Sequence, residues 1–149
     1  MTTQHTPALL AALETATIVN AHWSEDNTKP TCLARLTPLV NSTDGTEYLP
    51  VAYAIPVAHT LKRISRNQYG NTLEVAFILV AEADGETEAQ SLLDDFHAAV
   101  KAVLDRGTSS GVHYISADIV DPYDYDLLAN SGIFRCQANF QIMMATENQ

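Results

Sequence analysis

Residues 134–142 read FRCQANFQI. Phe134, Cys136, Ala138, Phe140 and Ile142 alternate with Arg135, Gln137, Asn139 and Gln141. Successive side chains of an extended chain point to opposite faces, so this is a strand with one dry face and one wet face. A dry sheet face has to be covered, and two segments supply covers. Thr6-Pro7 sets an N-cap and a first-turn proline ahead of Leu9, Leu13, Ala16 and Val19 at helical spacing, with Glu14 and Asn20 off that stripe. The second helix starts at a capping box, Thr87-x-x-Gln90. It buries Leu92, Phe96, Ala99, Val100, Val103 and Leu104, and stops at Gly107.

Further strands flank this reading. NTLEVAFILVA at 71–81 places Leu73, Val75, Phe77 and Leu79 on one face, while the other turns apolar at Ala76, Ile78 and Val80. A strand apolar on both faces belongs at the centre of a sheet. From Tyr48 to Ala58, Val51, Tyr53, Ile55 and Val57 point one way, with alanines and Pro56 on the other; proline lacks a ladder donor, which argues for an edge or a bulge. His59 to Gly70 reads as a connection. Val112 to Asp121 is a strand with Ile115, Ala117 and Ile119 opposite Tyr114, Ser116 and Asp118, and Thr31 to Leu36 is a short one stopped by Pro38. DPYDYDLLANS at 121–131 is a turn leading into a short helical stretch. The economical packing is an α+β two-layer sandwich, a mixed, mostly antiparallel sheet of four to five strands against one long and one N-terminal helix. The whole span 1–149 reads as one domain, with the N-terminal helix inside 1–23.

Composition excludes several classes of function. With 46% hydrophobic residues, six glycines and six prolines, the chain is neither disordered nor fibrous. Eighteen acids against eight bases give a formal charge of −10, which disfavours gripping phosphate backbones or anionic lipid. No apolar run approaches the roughly 18–20 residues of a membrane span. The first residues, MTTQHTPALLAALETATIV, lack the basic flank of a signal peptide. Cys32 and Cys136 read as buried thiols of a reducing compartment.

No catalytic set emerges. No serine sits in a Gly-x-Ser-x-Gly elbow, and neither GxxxxGK[ST] nor GxGxxG occurs. Histidines 5, 22, 59, 97 and 113 are scattered, and His97 reads as a helix-surface residue. Asp118, Asp121, Asp124 and Asp126 crowd together with Tyr123 and Tyr125. Hard cations favour clustered carboxylates, yet the order of a calcium loop is missing, and a turn with acids at a helix N-terminus explains the same residues. No cofactor or metal is expected, and a small metal-dependent hydrolase built on these aspartates is the alternative from another class.

Two charged patches stand out. Lys62, Arg63 and Arg66 are three of the eight basic residues, and Glu82, Asp84, Glu86 and Glu88, followed by Asp94 and Asp95, form a run without a base. Each has a plain reading, a solvated loop and a solubilising helix start. Together they are also opposite surfaces with which one copy meets the next, and such heterologous contacts close into rings.

Four stretches in order carry a family resemblance over Leu33 to Ile142: ARLTP at 34–38; Ile55-Pro56 followed by Ile64-Ser65-Arg66; the acidic turn and helix from Asp84 to Leu104; and VDPYDYDLLANSGIFRC at 120–136. This portion resembles the tail-terminator (tail-completion, minor tail) proteins of tailed bacteriophages. It departs from them at Arg135-Cys136, where a small residue is usual, and in the alanine-rich strand from Tyr48 to Ala58. The resemblance implies a virion structural protein, assembled in the host cytoplasm. Its hexameric ring would cap the tail tube, stop tube polymerisation and meet the head–tail connector, with DNA passing through the lumen ungripped and no membrane involved. A monomeric neck or baseplate adaptor is the runner-up. The expected interface draws on Lys62, Arg63, Arg66, Glu82, Asp84, Glu86, Glu88, Asp121, Tyr123 and Asp124.

Overall fold

The computed structural model describes residues 6–23, 31–36, 50–66, 68–109, 111–121, 128–130 and 132–146. Among the described residues, two long helices, α1 (Pro7–Trp23) and α2 (Glu86–Arg106), cover one face of a sheet of six strands: β1 (Cys32–Ala34), β2 (Val51–Ser65), β3 (Gln68–Glu82), β4 (Thr108–Ser109), β5 (Val112–Asp121) and β6 (Ile133–Thr146). Residues 128–130, in the stretch expected to turn helical, are helical. Their spatial order is β1-β2-β3-β6-β5-β4, with β1 parallel to β2 and the other pairs antiparallel. This is the expected α+β two-layer arrangement, with the doubly apolar β3 at its centre.

The dry face of β6 is dry throughout. Phe134, Cys136, Ala138, Phe140 and Ile142 are each at most 1% exposed. Phe77 on β3 is the hub above them: its ring stacks on Phe96 of α2 at 4.8 Å, meets Trp23 of α1 at 5.8 Å and lies 6.4 Å from Phe140. One aromatic residue from each helix and one from β6 thus converge on the central strand. Val51, Tyr53 and Ile55 of β2, with Ala76 and Ile78 of β3, form a second buried cluster on the opposite face. The alanine side of β2, Ala52 and Ala54, lies under the helices.

Several expectations are corrected. The first helix buries Ala11, Ala12, Thr15, Ala16, Ile18, Val19 and Trp23, whereas Leu10 and Leu13 are 41% and 37% exposed. Apolar residues surround this helix, so spacing alone did not choose its inner face, and the small alanine side allows the closest approach to the sheet. Thr87 and Gln90 do not cap the second helix. It starts two residues earlier, after Gly85, whose φ of 100° suits glycine, and no side-chain cap bond is made. The stop at Gly107 is as expected, with φ 70°. On β5 a register shift between Tyr114 and Ser116 breaks the alternation, leaving Tyr114 inward and Ile115 57% exposed. Pro56 does mark a bulge, between Pro56 and Ala58.

The largest correction is the His59 to Gly70 connection. The chain runs on as strand to Ser65 and returns as strand from Gln68, paired from Ala58 opposite Glu74 to Arg63 opposite Tyr69 and, after a register shift, Ser65 opposite Gln68. Val57 to Arg63 are all exposed, so no half-buried face imprinted a period of two on the sequence.

Candidate functional site

That extension is a β-hairpin arm. The edge strand β1 pairs with Ala52 to Ala54, so past Pro56 β2 is the outer strand among the described residues, paired with β3, which β6 backs on its other side as far as Tyr69 opposite Thr146. Lys62, Arg63 and Arg66 all sit at the outer end of the arm and are exposed. Arg63 Nη2 donates to the Arg66 carbonyl at 3.3 Å, which ties the turn together. Leu61, 60% exposed, adds an apolar side chain just below the basic tip. At the base, His59 hydrogen-bonds Asn71, a buried amide that also donates to the Met144 carbonyl at 3.4 Å and so fastens the arm to β6.

The acidic run lies at the other end of the same strand. Glu82 closes β3, and Asp84, Glu86 and Glu88 follow through the turn into α2, all four exposed. From Gln68 to Glu82 the strand advances about 45 Å at its usual rise per residue. Glu86 and Glu88 occupy the first turn of α2, where carboxylates offset the positive end of the helix dipole. Beside them opens a cleft of about 710 Å³. Its rim includes Asp84 and Glu86, and its apolar lining comes from Ala89 and Leu93 of α2, Leu128 beyond β5, and Phe134 of β6. Gly132, with φ 68°, turns the chain into β6 here, and its carbonyl accepts from the Ala83 amide at 2.9 Å.

The two patches that sequence singled out are therefore not neighbours. The fold holds them at opposite ends of its central strand. Of the aspartate cluster, Asp118 is exposed on β5 and Asp121 ends that strand with its backbone paired to Gln137. Tyr123, Asp124 and Asp126 lie outside the described residues. Among the described residues, no three His, Cys, Asp or Glu side chains come together in a metal-binding group.

Sequence reasoning missed a polar ladder on the helix-free face of the sheet. Arg135 donates to Gln137 at 2.9 Å, Gln137 to Asn139 at 3.1 Å, and Asn139 and Gln141 both donate to the Glu74 carboxylate, the latter at 3.1 Å. The alternation of β6 named these residues as the wet face but gave no sign that β3 would supply the acceptor.

Two buried titratable groups are shifted. Burial pushes the Cys32 thiol up to about 12, which removes it from thiolate chemistry at neutral pH. Tyr114 is also pushed up to about 12, chiefly by burial; the Thr15 hydrogen bond pulls against this and the nearby Glu14 charge adds to it. Cys32 and Cys136 are both buried and unbridged.

No family model matches the sequence, and no curated protein does. Among solved structures, the chain is similar to a chain from the virion of a native gene transfer agent (GTA) particle. The alignment covers 95% of this chain and 100% of that one, with a TM-score of 0.47 and 13% identity.

Proposed function

We propose that this chain is a virion structural protein that closes into a ring at the end of a phage tail tube, ends tube polymerisation and joins the tail to the head connector. It works by contact with its own copies, with the tail tube protein and with the connector, and not by transforming a bound molecule. The observation that carries the reading is the separation of charge along β3, a basic arm at one end and an acidic, cleft-bearing end at the other. A protomer with two different, complementary ends associates head to tail, and such contacts close into a ring when the rotation between copies permits. Two stretches of the tail-terminator resemblance fall on these features. Ile55-Pro56 and Ile64-Ser65-Arg66 mark the bulge and tip of the arm, and Asp84 to Leu104 covers the acidic turn and most of α2. The net charge of −10 suits a ring through which DNA passes without being held.

Native mass spectrometry at low micromolar concentration, with and without tail tube protein, tests the ring. A closed oligomer of fixed copy number is expected, and monomer alone across the concentration series overturns it. Particles assembled without the chain test the role. Overlong tubes or tails without heads are expected, whereas tails of normal length joined to heads overturn it.

A further inference from the structure

The arm and the cleft fit one another in chemistry and not only in sign of charge. The arm offers three cations around a turn, with exposed Leu61 beside them. The cleft offers Asp84 and Glu86 at its rim above an apolar lining of Ala89, Leu93 and Leu128. Its volume of about 710 Å³ is enough for the few side chains of a hairpin tip. Tip and cleft stand about 45 Å apart along one continuously hydrogen-bonded strand, so the arm cannot fold back into the cleft of its own chain.

We infer that the occupant of the cleft is the hairpin arm of a second copy of this chain, seated with Leu61 on the apolar lining and with Lys62, Arg63 and Arg66 against Asp84 and Glu86. This deepens the ring reading, on which it rests, by assigning the contact between neighbouring protomers. Each copy gives one arm and receives one, so every protomer in a closed ring both fills a cleft and has its own cleft filled. The contact also joins an apolar anchor to a charged rim, the arrangement that gives protein interfaces their affinity at the centre and their register at the edge.

Charge exchange tests this. Arg63→Glu with Arg66→Glu reverses the tip, and Asp84→Lys with Glu86→Lys reverses the rim. Each pair alone is expected to weaken self-association, read by sedimentation velocity, by at least about tenfold. A chain carrying all four substitutions should regain most of the wild-type association, since tip and rim are again opposite in sign. Rings that ignore both reversals overturn the arm-in-cleft contact while leaving the ring itself intact, and so does loss in both without rescue. A wild-type chain that never self-associates overturns the ring reading instead. Should a reversed chain fail to fold, mixing one chain carrying Arg66→Cys with another carrying Gln90→Cys, on the cleft lining, gives the same decision. An oxidised heterodimer supports the contact, and its absence from otherwise assembled rings overturns it.

Discussion

At the scale of single residues, Tyr114 shows how a polar group becomes part of the core. The Thr15 hydroxyl donates to the Ala11 carbonyl at 2.8 Å, leaving its oxygen free to accept from the Tyr114 hydroxyl 2.9 Å away. The pair ties α1 to β5, while burial keeps the phenol neutral. In the folded chain the phenol titrates at about 12 against an ordinary 10.0, and the Cys32 thiol at about 12 against 9.0. Both groups are harder to ionise folded than unfolded, so the unfolded chain binds fewer protons between these limits and stability falls as pH rises. The loss begins near 9 for Cys32, near 10 for Tyr114, and is complete near 12. Tyr114→Phe separates the two. At pH 8 it costs about 1 kcal/mol, from the lost hydrogen bond. Between pH 8 and 11 it loses less stability than the wild type, by an amount on the order of 1 kcal/mol. Urea midpoints at both pH values check this, and parallel losses in the two proteins assign the alkaline sensitivity elsewhere.

At the scale of elements, β1 is held by a side chain as much as by its strand partner. Asn20 of α1 mimics a peptide group, donating to the Cys32 carbonyl at 2.9 Å and accepting from the Cys32 amide at 2.7 Å. Asn20→Ala leaves both backbone groups without that partner and is expected to cost about 1–3 kcal/mol. Hydrogen exchange adds a local signature, with faster exchange at the Cys32 amide and little change at Phe77 or Phe140. Phe140→Ala acts globally. It removes a fully buried ring in contact with Phe77 and Tyr114 and is expected to cost about 3–5 kcal/mol, read as a lower thermal midpoint.

What was legible in sequence follows from which faces are half buried. On β6 and α2, one side meets the core and the other meets water or a polar ladder, so period two and period 3.6 are both written in the residues. On α1 nearly every position is apolar or small, and the inner face was set by the sheet. On the outgoing strand of the arm Val57 to Arg63 are all exposed, so His59 to Arg66 carried no strand pattern although it is strand to Ser65. The same exposure hid the site. Sequence named the basic and acidic residues, but only the pairing of β2 with β3 shows that they occupy opposite ends of one rigid strand.

At the scale of the whole molecule, charge and hydrophobicity have separate tasks, and salt distinguishes them. The fold rests on Phe77, Phe96, Phe134 and Phe140, each at most 1% exposed, and apolar burial is not weakened by simple salts. The proposed contact between copies is largely electrostatic, formed by groups exposed in the single copy. Screening shortens the reach of such charges from about 10 Å at 0.1 M salt to about 3 Å at 1 M. Association is therefore expected to weaken steadily as sodium chloride rises from about 0.05 to 0.5 M, while the thermal midpoint of the dissociated chain stays nearly constant. The Arg63→Glu, Arg66→Glu chain should lose most of that salt dependence, because the pairs that salt screens are already broken. Sedimentation velocity across the salt series measures the first effect and thermal melts the second. Rings that tighten with salt would mean that apolar surface, such as the exposed Leu10 and Leu13 of α1, drives assembly. The charge separation along β3 would then serve solubility and not contact.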